Sequence, residues 1–154
     1  MKNALVVEDK DAKFEDLKAV LQRAKPHLAI TRARTVTEAD NLVSTGRWAI
    51  IFLDVSMDIS GASKGAIGGG HANLGGVDVL DTMFYEGIEI PTIVITGFDY
   101  FIAAASGQDS EFIGLVELEQ MAKERLQQSF LGCVRYGSPD WKAKLEGMLE
   151  ASSC

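Results

Sequence analysis

Short apolar runs alternate along this chain with longer stretches in which apolar residues recur every three or four positions. Ala4 to Val7 (ALVV) is the first run, and it ends in acid. Leu28 to Arg34 (LAITRAR), Ala49 to Leu53 (AIIFL), Pro91 to Ile95 (PTIVI) and Leu131 to Arg135 (LGCVR) follow. Runs this short, apolar and β-branched predict strands buried on both faces. Between them lie helical periods. Lys13 to Ala24 carries Phe14, Leu17, Val20 and Leu21 at helical spacing, and Pro26 stands just past its end. Thr37 reads as the N-cap of a helix through Ser44, which Gly46 ends. Gly76 to Tyr85 sets Val77, Leu80 and Phe84 on one face, and Glu111 to Gln128 reads as a substantial helix. Pro139 opens a last helix through Leu149, with Trp141, Leu145 and Leu149 on its inner face. Strand then helix, five times over, predicts an α/β fold: a parallel sheet covered on both sides. Residues 1–150 read as one domain and 151–154 as a frayed tail.

Two stretches break the rhythm. Val55 to Gly75 holds Gly61, Gly65, Gly68, Gly69, Gly70 and Gly75 without periodicity, which predicts a mobile loop. Asp99 to Ser129 is long for its place, with a break near Ser106 to Ser110.

Composition narrows the class. The chain has 154 residues, 47% hydrophobic and 24% charged, which is ordinary for one globular domain. A net charge of −7 argues against direct nucleic-acid binding and against an anionic membrane surface. No apolar stretch reaches the length of a membrane span, and the first residues read as a strand, not a signal peptide. Cys133 lies in an apolar run and reads as a core thiol, and with Cys154 it makes no disulfide framework. The expected compartment is a reducing cytoplasm. His27 and His71 have no partner at metal spacing, and Trp48 and Trp141 read as packing anchors. The run of Glu117, Glu119, Lys123, Glu124 and Arg125 reads as a solvated helix face.

In an open parallel sheet, sites form beyond the carboxyl ends of the strands. Glu8 and Asp9 follow the first strand, Asp54 the third, Thr96 and Gly97 the fourth, and Arg135 closes the fifth. Three carboxylates, a hydroxyl and a cation are thus expected in one crevice. Three carboxylates alone repel, and a hard dication relieves that repulsion. Mg²⁺ takes oxygen ligands and keeps waters, so one or two carboxylates plus phosphate suit it. An aspartate beside such an ion can accept a phosphoryl group as an acyl phosphate.

The ordered pieces LVVEDK (Leu5 to Lys10), IIFLDVSMD (Ile50 to Asp58), GGVDVLDTM (Gly75 to Met83), IPTIVITG (Ile90 to Gly97) and FLGCVRYGSPDW (Phe130 to Trp141) resemble the response-regulator receiver family. The resemblance implies a flavodoxin-like (βα)5 fold with sheet order 2-1-3-4-5. It implies Glu8, Asp9 and Asp54 as Mg²⁺-site acids, with the backbone carbonyl of Ser56 as a further ligand. It implies Asp54 as phospho-acceptor and Thr96 as switch hydroxyl. Arg135, followed by Tyr136, stands where the family has Lys then Pro, and Gly132 stands where an aromatic switch residue is usual. Arg keeps the charge but not the point geometry of Lys. The function implied is a phosphorylation-switched module of two-component signalling, not an enzyme. Its expected partners are a sensor histidine kinase or phosphotransfer protein and a downstream protein; a homodimer is left open. The alternative is a degenerate receiver that binds proteins without phosphorylation. VVEDKD (Val6 to Asp11) is also similar to the first acidic motif of Toprim nucleases, but Ser56 stands where that Mg²⁺ site needs acid.

Overall fold

The structure is a computed structural model, and it describes residues 2–56, 72–73, 75–97, 100–102 and 112–154. Strands β1 (Asn3–Val7), β2 (Ala29–Ala33), β3 (Ile50–Asp54), β5 (Thr92–Thr96) and β8 (Phe130–Arg135) form one sheet in the order β2-β1-β3-β5-β8. Every pairing in it is parallel. The order is the one expected, 2-1-3-4-5 among these five. Helices α1 (Asp11–Ala24), α2 (Val36–Thr45), α3 (Gly75–Glu86), α4 (Leu115–Leu126) and α5 (Trp141–Ala151) link the strands.

Two apolar layers cover the sheet. One gathers Leu5, Val7, Ile51, Leu53 and Val94 with α2, α3 and α4. The other gathers Ala4, Val6, Phe52, Ile93 and Ile95 with α1 and α5. Side chains of one strand point alternately to the two faces, so both faces must be apolar. β3 and β5 are buried along their whole length. Trp141 and Cys133 are core residues, as expected, and burial first, then the charge of Glu119, pushes the Cys133 thiol up to about 12. Trp48 is tied by its indole nitrogen to the Leu42 carbonyl at 2.7 Å. Among the described residues no helix is long and apolar enough to cross a membrane.

Several boundaries differ from those read in the sequence. Thr35, not Thr37, caps α2, because its hydroxyl accepts from the Glu38 amide at 3.1 Å. The expected helix Glu111 to Gln128 is shorter, running Leu115–Leu126. Phe112–Gly114 is instead strand β7, in a small second sheet with β4 (Ala72–Asn73) and β6 (Tyr100–Ile102). β4 therefore interrupts the expected glycine loop, whose residues 57–71 and 74 lie outside the described residues, as does His71. α5 runs one residue past its expected domain limit, and its end is bonded through Ser152 Oγ to the Leu149 carbonyl.

Candidate functional site

β1 and β3 lie side by side in the sheet, with Val7 paired to Leu53, so the residues just after them emerge together. Glu8 follows β1 and is fully buried, whereas Asp9 beside it is exposed. Asp54 is the last residue of β3 and only 4% exposed. One carboxylate oxygen from each of Glu8, Asp9 and Asp54 lies within 4.8 Å of the others. The three expected acids do converge.

The cation inside the cluster was not anticipated. Lys13 extends from the second residue-pair of α1 and is 6% exposed. Its Nζ stands 3.0 Å from Glu8 Oε1 and 3.3 Å from Asp54 Oδ2. The Tyr136 ring lies over it, with the centroid 5.6 Å from Nζ. Tyr136 is fixed by its hydroxyl, which donates to Asp16 Oδ2 at 2.5 Å and is thereby pushed up to about 12. One signal in the sequence could have revealed Lys13. It lies four residues before Leu17 and eight before Leu21, on the stripe that α1 turns to the sheet. A lysine on that stripe must carry its charge to a buried partner.

Asp54 is held on its other oxygen as well. The Ser56 amide donates to Asp54 Oδ1 at 2.9 Å, and the Ser56 hydroxyl donates to the same atom. Gly76 seats α3 against this turn. Its amide donates to the Val55 carbonyl at 3.1 Å, and a Cβ there would meet Val55 Cα at 2.4 Å and the Asp54 carbonyl oxygen at 2.5 Å. Only glycine leaves room for so close a backbone approach.

Thr96, at the end of β5, is fully buried, and its carbonyl accepts from the Tyr136 amide at 2.7 Å. Its register partner is Arg135 at the end of β8. The Arg135 guanidinium donates through Nη1 to the Tyr136 carbonyl at 2.9 Å. On the β2 side, Arg32 Nε donates to the Glu8 carbonyl at 3.0 Å and its guanidinium stacks on Phe14. Arg32 and Arg34 both bind Asp11, and these bonds hold its carboxyl below the usual range.

The electrostatics of the cluster follow from burial. Desolvation first, then the charge of Asp54, pushes the Glu8 carboxyl up to about 8, although Lys13 pulls it back. A buried acid disfavours its charged form unless a cation compensates. Three carboxyl groups gather around one ammonium, and the ligand atoms they bring together are all oxygen. That donor set fits a hard dication such as Mg²⁺.

No protein-family model matches the chain, and no curated protein matches it. Solved structures do match. The chain is 13% identical to a CheY-like response-regulator receiver domain protein from Methanospirillum hungatei JF-1, with 98% of this chain and 95% of that one covered and a TM-score of 0.61. It is 18% identical to the signal receiver domain of a DNA-binding response regulator from Colwellia psychrerythraea 34H, over 98% and 97% of the two chains, with a TM-score of 0.61. For the signal receiver domain of a putative Luxo repressor protein from Vibrio parahaemolyticus the values are 17%, 97%, 91% and 0.61.

Proposed function

We propose, from the premise that this chain has the receiver fold, that it is a signalling module switched by phosphoryl transfer to Asp54. The observation that carries the reading is the convergence of Glu8, Asp9 and Asp54 at the carboxyl ends of β1 and β3. Glu8, Asp9, Asp54 and the Ser56 carbonyl would hold Mg²⁺. When bound, the ion would neutralise charge on the phosphoryl oxygens. The protein's own part is positioning. Ser56 fixes one oxygen of Asp54, Oδ1, which leaves Oδ2 as the oxygen for the attack. Thr96 is the hydroxyl expected to bond the new phosphate and pull its loop inward. Arg135, across from Thr96, is the cation the sequence offers for the same oxygens.

The expected phosphodonors are a sensor histidine kinase or a phosphotransfer protein. The expected output is a contact with another protein, not catalysis on a separate substrate. The test is intact mass after incubation with Mg²⁺ and acetyl phosphate. The reading predicts a Mg²⁺-dependent gain of one phosphoryl group that is absent from Asp54→Asn. A chain that gains none, where another receiver is labelled in the same tube, contradicts it.

A further inference from the structure

The phosphoryl step needs a cation beside the acceptor oxygen, and the described residues place several near the crevice. Arg32 is spent on the Glu8 carbonyl and on Asp11. Arg135 donates to the carbonyl of its own neighbour, Tyr136. Lys13 alone among these three has an ion pair with Asp54. We infer that Lys13, from the first turn of α1, is the catalytic cation of this site, in the role that the sequence offered to Arg135. The inference rests on Asp54 being the phospho-acceptor.

Four observations support it. The ammonium stands 3.3 Å from Oδ2, the oxygen left open by the Ser56 bonds to Oδ1. An ammonium has three donor hydrogens, and the ion pairs with Glu8 and Asp54 hold it where one of them can meet an oxygen brought against Asp54. The position is built and not incidental: the side chain is buried, it lies under the Tyr136 ring, and that ring is fixed through Asp16. Finally, a lysine is a compact point charge that can follow a moving oxygen, which the planar fork of an arginine does less readily.

The step balances without a further reactant. Asp54 Oδ2 gives an electron pair to the phosphorus of acetyl phosphate as the bond from phosphorus to the acetyl oxygen breaks. Acetate leaves with that electron pair, and no proton moves. Lys13 passes from the Glu8–Asp54 pair to the transferred phosphoryl oxygens and stabilises the charge there.

The test uses the full chain with Mg²⁺. Lys13→Met is expected to lower the initial rate of labelling by acetyl phosphate at least about a hundredfold, as loss of one preorganised donor does. Lys13→Arg is expected to recover part of the loss, and Arg135→Met to cost less than Lys13→Met. Because removing a buried charge can unfold a domain, the unmutated protein supplies a second readout. The ε-methylene NMR resonance of Lys13 is followed while beryllofluoride, a stable phosphoryl stand-in, is added with Mg²⁺. A clear shift of that resonance on binding is expected. If the wild-type chain is labelled but Lys13→Met is labelled equally fast, or if beryllofluoride binds without moving Lys13, the assignment is overturned and Asp54 survives as acceptor. If the wild-type chain is neither labelled nor bound by beryllofluoride, both readings fall.

Discussion

Two pairs of acids are pressed together in this molecule, and each is relieved in a different way. Glu8 and Asp54, at the ends of β1 and β3, share the buried ammonium of Lys13. Asp40 of α2 and Asp78 of α3 meet between their helices, with Thr82 and Glu86 nearby. There no ammonium stands between the acids: desolvation first, then the bond and charge of Asp78, push Asp40 up to about 6, while Glu8 stands at about 8 even beside Lys13. Asp54 must be ionised to attack phosphorus, so a cation fits its place and a shared proton does not.

Both regions lean on α3, which carries Gly76 against the Asp54 turn and Asp78 against Asp40. Gly76→Ala therefore breaks both. Its Cβ would collide with backbone, not with a yielding side-chain tip. We expect a loss of about 3 kcal/mol in urea unfolding, near the upper end for overpacking.

Lys13→Met sharpens the contrast. It leaves Glu8 and Asp54 buried without their ammonium, and breaking such a pair is strongly destabilising. Glu8 is already pushed up to about 8, so it can answer by taking a proton. The expected loss in unfolding free energy is therefore held to about 2 kcal/mol, below the usual cost of an uncompensated buried charge. Adding Glu8→Gln to that variant should return part of the loss.

Asp40→Asn probes the pair that lacks a cation. Folding favours the protonated acid, whose value is raised from 3.8 to about 6. Its contribution is full below the lower value and is lost as pH rises through the higher one. Thermal melts on either side of that window should show the variant gaining on the wild type as pH rises. A constant difference in Tm would contradict the raised value of Asp40. The smallest effect is expected from Arg23→Gln. It removes a pair with Glu146 in which the arginine is 68% exposed, and its cost should be below about 0.5 kcal/mol.

Much of this was legible from the chain. The five apolar runs became the five strands of the main sheet, and the acids placed after the first and third did meet. Local rules failed where non-local contacts decide. Phe112–Gly114 is a strand because β6 offers it an edge, which its own residues do not announce. Thr35 outcompetes Thr37 as a cap because Glu38 is the third residue after it, and its amide is within reach. Lys13 is hard to see in the sequence because a lysine near a helix start is ordinarily solvated. Its fate is set by a stripe shared with Leu17 and Leu21 and by carboxylates from two strands. The bond from the Ser56 hydroxyl to Asp54 depends in the same way on the turn after β3, which no local pattern announces.

Asp54 can be tested as the acceptor on the protein itself. The most direct measurement treats the full chain with Mg²⁺ and acetyl phosphate, reduces any acyl phosphate with borohydride, and maps the peptides by mass. Homoserine is expected in place of aspartate at position 54, dependent on both reagents. Reduction at another acid, or at none when the intact protein carries phosphoryl, would contradict it.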